Sequence, residues 1–140
     1  MNDSMFLTSN SVVLFMVHGN LTRLLCELFP GLIAGDSISP DEPKVSGKEG
    51  GSVTLRCTYD TSDDRVRLYW YRHHSNQAPQ FILWKEARSW SDEHIPDTRY
   101  ESTTSSTSTE LTITQLTLAD AALYYCALEN TVTKCGGAFT

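Results

Sequence analysis

Four cysteines and four histidines are the side chains of this 140-residue chain best suited to redox, nucleophilic or metal chemistry. The thiols belong to Cys26, Cys57, Cys126 and Cys135. No two form a Cys-x-x-Cys pair and no Cys/His ligand spacing occurs, so no zinc site or other metal site is expected. His73 and His74 are neighbours in sequence; on a strand they project to opposite faces and do not easily share one metal. His94 stands apart in a polar stretch. A Gly-x-Ser-x-Gly elbow and a glycine-rich phosphate loop are both missing from the chain. The aspartates and histidines fall in no recognisable catalytic motif, so neither enzyme activity nor a cofactor is expected.

Two of the thiols carry a different signal. Cys57 and Cys126 lie 69 residues apart, Trp70 follows the first by 13, and Tyr124 precedes the second by two. Large aromatics at such offsets from cysteines suit a packed core in an oxidising compartment. The stretches that must position these residues are short and alternating. Val53, Leu55 and Cys57 alternate with Thr54, Arg56 and Thr58, which turns the apolar set to one face of a strand. Leu68, Trp70 and Arg72 share one face of the next strand, and Tyr69, Tyr71 and His73 the other. A turn at residues 75–79 leads to a strand over residues 80–84. Lys85 to Asp97 is polar and loop-rich. Thr98–Thr103 and Ser108–Ile113 read as a hairpin with Leu111 and Ile113 inward and Leu116 closing the core. Thr117–Ala121 reads as a short helical turn, and Ala122, Tyr124 and Cys126 face inward on a final strand. Many short strands with turns between them predict an all-β sandwich.

Composition is that of a globular domain: 40% hydrophobic, 20% charged, formal net charge −6. Of that charge, −1 falls in residues 1–35 (Asp3, Arg23, Glu27). No basic stripe is present, so nucleic acid is not an expected partner. Residues 1–35 are largely apolar, with one run at residues 12–17 and another broken by Glu27 and Pro30. Neither reaches the roughly 20 apolar residues of a membrane span. The segment is expected to be a secretory signal peptide of unusual length, without a basic start, cleaved near Ala34-Gly35. The sequons at Asn2 and Asn20 fall inside it and are read as unused.

Residues 36–129 resemble the variable domain of a T-cell receptor alpha chain, or of a delta chain sharing such segments. The resemblance rests on Gly50-Gly51-Ser52-Val53-Thr54-Leu55-Arg56-Cys57, Leu68-Tyr69-Trp70-Tyr71-Arg72, Ala78-Pro79-Gln80-Phe81, Glu110-Leu111-Thr112-Ile113 and Asp120-Ala121-Ala122-Leu123-Tyr124-Tyr125-Cys126-Ala127-Leu128. It implies an immunoglobulin-like V-type β-sandwich with Greek-key topology. It implies a Cys57–Cys126 disulfide between the sheets, with Trp70 packed on it, Leu111 in the core, and Tyr124 as the tyrosine corner. Closing a loop of that length is worth on the order of 4 kcal/mol in the chain-entropy model. An Arg99–Asp120 salt bridge at the bottom of the sandwich follows from the same likeness.

The function implied is antigen recognition: pairing with a beta (or gamma) variable domain and binding of peptide–MHC by the loops at one end. The first loop is placed at Thr61–Arg67, with Asp63, Asp64, Arg65 and Arg67. The second, Lys85–Ser91, carries Lys85, Glu86, Arg88 and Trp90. The third follows Cys126 and includes Glu129, Asn130, Thr131 and Lys134 within Glu129–Phe139. Ser105–Ser108 is an accessory loop. Arginine and tryptophan are favoured at interface hot spots, which supports the second loop independently. The pairing face is expected at Tyr71, His73, Pro79, Phe81 and Tyr125, since outward tyrosines on neighbouring strands with Pro79 and Phe81 nearby make an apolar patch. Such a domain belongs to the secretory pathway and the outer face of the plasma membrane, within a receptor complex. Signalling partners would be reached only through a constant and membrane-spanning region, which this sequence does not include.

Three departures stand against the resemblance. His73 occupies a position that is usually glutamine, which puts the amide pair across the domain interface in doubt. The Phe-Gly-x-Gly strand is missing, so the variable domain (36–140) is read as truncated in its third loop, with an exposed sheet edge and lowered stability expected. Cys135 falls in that loop without an evident partner. The competing readings are another V-set cell-surface receptor or adhesion domain and an antibody light-chain variable domain.

Overall fold

A computed structural model of the chain describes residues 11–20 and 36–130, the former as backbone only. Ten strands fall in two sheets. In chain order they are β1 (Ser11–Asn20), β2 (Ser37–Pro40), β3 (Lys44–Lys48), β4 (Val53–Asp60), β5 (Arg65–His73), β6 (Gln80–Arg88), β7 (Glu93–His94), β8 (Tyr100–Thr104), β9 (Ser108–Ile113) and β10 (Leu123–Asn130). One sheet runs β3-β1-β10-β5-β6-β7 and the other β2-β4-β9-β8. The chain passes from β4 into the first sheet, returns for β8 and β9, and crosses again to β10, a Greek-key path.

Alternation builds the core. In β4 every second residue is buried (Val53, Leu55, Cys57, Tyr59), and β9 opposes it in antiparallel register with Leu55 opposite Leu111. Trp70, Leu68 and Val66 on β5 and Tyr124, Cys126 and Leu128 on β10 complete the filling between the sheets. Leu116 and Ala122 are also fully enclosed. The register of β5 on β6 shifts between Trp70 and Tyr71, a bulge that re-aims the outward side chains beyond it.

Turn chemistry sets the ends. Gly50 has φ +84°, a left-handed conformation that glycine adopts without strain, and Gly51 N–H donates to the Lys48 carbonyl at 2.9 Å. The turn is fastened to the core's end by Gly50 N–H to the Leu116 carbonyl (2.7 Å). Leu118–Asp120 form one 3-10 turn with a reciprocal capping box between Thr117 and Asp120.

Two outcomes differ from the sequence reading. β6 runs unbroken to Arg88, and β7 follows after a connection of only residues 89–92, so residues 85–88 and 93–94 of that stretch are strand. Of the two, β7 alone is the edge strand, while β6 lies between β5 and β7 with Glu86 and Ala87 buried, and polarity alone does not separate such strands from a loop. The open edge expected beside the last strand is also corrected. β10 lies inside its sheet, with β5 on one side and β1 on the other. Residues 11–20 take that place, pairing parallel to β10 and antiparallel to β3.

Candidate recognition surface

The framework beneath the surface is a set of satisfied buried groups. Cys57 and Cys126 are bonded across the sheets, with their Cα atoms 6.7 Å apart. Trp70 donates its indole N–H to Thr109 Oγ1 at 3.3 Å, so the largest core side chain leaves no polar atom unpaired. The Tyr124 hydroxyl donates to the Asp120 carbonyl (2.6 Å), and burial holds its phenol far above the ordinary pKa. Arg99 grips the Asp120 carboxylate with two nitrogens, at 2.6 and 3.3 Å, and also donates to the Thr114 carbonyl. Asp120, 1% exposed, further accepts from Thr117 N–H. A buried carboxylate is tolerable here because it is paired and hydrogen-bonded several times over.

At the end of the sandwich where β4 meets β5 and β6 meets β7, the loop residues fall into two sets: those that bond neighbouring loops and those gathered around Trp90. Arg88 is a support. Its guanidinium donates to the Thr61, Asp63 and Ser106 carbonyls at 2.6–3.0 Å and covers the Tyr59 ring at 5.1 Å. Its φ of +69° is strained for a side-chain-bearing residue. Ser89 ties the second connection to the first by donating N–H and Oγ to the Asp64 carbonyl. Asp63 Oδ1 accepts from Arg65 N–H, an Asx-type turn. Glu86, 7% exposed, accepts from Arg67 at 2.8 and 3.2 Å and from Asp92 N–H. The hydrogen bond to Glu86 is the main reason the Arg67 guanidinium pKa is raised.

A second set of loop residues gathers around Trp90, which is half-buried like Arg67, while Arg65 is exposed. Arg65 lies 5.7 Å and Arg67 5.9 Å from its ring centroid, and Arg67 also covers Trp84 at 4.1 Å. Lys85 pairs with Glu93 at 2.5 Å. Glu129 sits on β10, where it accepts from the Tyr69 hydroxyl at 2.5 Å. Burial and then the bond to Glu129 raise the Tyr69 phenol pKa. Asn130 ends β10, while Thr131, Lys134 and Cys135 lie outside the described residues.

The outward face of the β10-β5-β6 sheet forms a second cluster. Tyr71 stacks with Tyr69 at 6.1 Å and meets Phe81 edge-on at 6.0 Å. His73 leans on Tyr125 at 6.1 Å. Phe81 is 41% exposed although it sits in a strand, and Pro79 beside it is exposed. Sequence reasoning missed two members. His94 on β7 stacks on Phe81 at 5.9 Å, and Trp84 stands 6.2 Å from His94. The strand parity of Tyr69 with Tyr71 and His73 was visible; the reach of β7 to Phe81 was not, because it depends on a cross-strand register. Among the described residues no group of three or more His, Cys, Asp or Glu is placed to hold a metal ion.

Two sheets bridged by a disulfide, a buried tryptophan opposite one of its cysteines in the strand register, a tyrosine corner and loops at one end define an immunoglobulin-type variable domain. Comparison with known proteins agrees. The sequence profile of the Immunoglobulin V-set domain matches residues 40–138. A mouse protein, T-cell receptor alpha chain V region CTL-F3, is 37% identical over 103 residues, covering 71% of this chain and 74% of its own length. Human T cell receptor alpha variable 18 is 32% identical over 116 residues, 81% of this chain and all of that protein. Human T cell receptor alpha variable 14/delta variable 4 is 32% identical over 104 residues, 73% and 86% of the two chains. The chain therefore belongs to the V-set family, as an antigen-receptor variable domain of the T-cell receptor alpha/delta kind.

Proposed function

We propose that this domain recognises peptide–MHC together with a beta (or gamma) variable domain, pairing through Tyr71, His73, Pro79, Phe81 and Tyr125. The observation that carries the pairing is the aromatic sheet face, where a 41%-exposed Phe81 is flanked by Tyr71 and His94. A strand face presenting contiguous aromatic surface marks an interface, and a largely flat one suits a second sheet. His73 and His94 widen that face beyond the tyrosines. Ligand contact falls to Asp64, Arg65, Trp90 and the segment after Glu129. Arg88 and Glu86 act beneath them, holding the loops in shape. Residues 1–35 direct the chain into the secretory pathway, and the domain works at the outer surface of the plasma membrane. Among the described residues no helix is long and apolar enough to cross a membrane.

Co-expression with a receptor beta chain tests this reading. Light scattering should show a heterodimer, and Phe81→Arg should weaken it at least tenfold while Arg65→Ala and Trp90→Ala leave it intact and reduce ligand capture. Equal pairing by Phe81→Arg and the parent would overturn the assignment of this face.

A further inference from the structure

His73 closes β5, where its half-buried ring leans on Tyr125 with 6.1 Å between ring centroids. Its Nδ1 is shut off from water and meets no hydrogen-bond partner among the described residues. We propose that His73 selects the partner of the aromatic face. Its Nδ1 is held bare, its Nε2–H is the group it offers, and the partner domain must bring an acceptor oxygen, not a donor, to that point. This rests on the pairing role proposed for the face and names what the partner must carry there.

A neutral imidazole has one N–H and one bare nitrogen, and their surroundings decide which is which. A proton on Nδ1 would be a buried donor with nothing to meet. Folded proteins avoid orphan buried N–H groups more strictly than unpaired acceptors. The proton therefore sits on Nε2. A partner donor then finds nothing to bond, because the only acceptor of the ring is enclosed. A partner acceptor finds a donor whose position is fixed by the pairing of His73 with Leu123 and by the Tyr125 ring.

The other polar groups of the face do not discriminate in this way. His94 stacks on Phe81 at 5.9 Å but is exposed, so water reaches its ring and fixes neither nitrogen. The Tyr69 hydroxyl is already committed to Glu129. The Tyr71 and Tyr125 hydroxyls rotate, and each donates or accepts as a partner requires. Among the described residues of this face, a fixed and unspent polarity belongs to His73.

The test uses the full chain, labelled at its histidine ring nitrogens, at about pH 8, where an ordinary imidazole is neutral. NMR reads the tautomer directly, and the signals of His73 are those that His73→Gln removes. The Nε2–H form is expected. Solvent exchange of that proton should slow at least tenfold when unlabelled receptor beta chain is added. His73→Gln, whose amide still donates, should pair within about threefold of the parent, and His73→Leu about tenfold more weakly, since the partner's acceptor is left enclosed without a donor. An Nδ1–H tautomer, an Nε2–H that exchanges equally fast in the pair, or full pairing by His73→Leu would overturn the proposal. Its failure differs from that of the pairing face. If the parent pairs no better than Phe81→Arg, the face is wrongly assigned and the proposal falls with it. If the parent pairs well but His73 carries its proton on Nδ1, the face stands and its selector alone is overturned.

Discussion

Arg88 reaches across to Ser106, donating Nε and Nη2 to its carbonyl at 3.0 and 2.6 Å, and so ties the second loop to the accessory loop between β8 and β9. The same guanidinium holds the Thr61 and Asp63 carbonyls. One side chain thereby sets the relative positions of three loops. Arginine suits the task because its planar fork offers five fixed donors and keeps its charge.

Replacing Arg88 separates two effects. Arg88→Ala loses the carbonyl contacts and keeps the left-handed backbone, so stability should fall by about 2 kcal/mol. Arg88→Gly also loses the contacts, yet glycine tolerates φ +69°, and it should be about 1 kcal/mol more stable than the alanine variant. Urea denaturation measures both. Equal stabilities would mean that the backbone strain at this position is negligible.

Glu86 is a buried counter-ion to Arg67. Glu86→Ala leaves Arg67 and Asp92 N–H without their acceptor, and should cost about 2 kcal/mol, below the range for a wholly buried pair because Arg67 is partly solvated. Glu86→Gln, which keeps an acceptor, should cost about half as much. If Glu86→Ala reduced ligand binding with no loss of stability, the residue would instead contact ligand directly.

His74 makes stability pH-dependent. Burial first, and then the Arg72 cation, lower its pKa below the ordinary 6.5. The folded protein therefore binds this proton less readily than the unfolded chain. The stability His74 confers is present above pH 6.5 and is lost as pH falls through that value toward the folded pKa. Thermal midpoints of the parent should drop between pH 7.5 and 5.5 by more than those of His74→Gln. An NMR titration of His74 with its midpoint at or above 6.5 would contradict the sign.

Much of the scaffold was legible because it is written in local periodicity. The buried alternation of β4 and β9, the 3-10 turn after Thr117 and the inward set on β10 each follow from residues a few positions apart. The second loop was not legible in this way. Lys85, Glu86 and Arg88 look alike in sequence, as charged residues in a polar stretch. Glu86 is buried because Arg67 lies opposite it in the β5–β6 register, and Arg88 is a clamp because three carbonyls from distant loops converge on it.

The sequence by itself determined the two cysteines, the tryptophan and the tyrosine that organise the core, since their types and spacing admit few other sandwiches. It determined the outward tyrosines too, because strand parity is a property of the chain alone. Only the tertiary structure decided what stands beside β10, which charged loop residues support and which are offered, and that His94 joins Phe81 on the exposed face. Each of these depends on a register between strands far apart in sequence, where a shift of one residue exchanges the two faces.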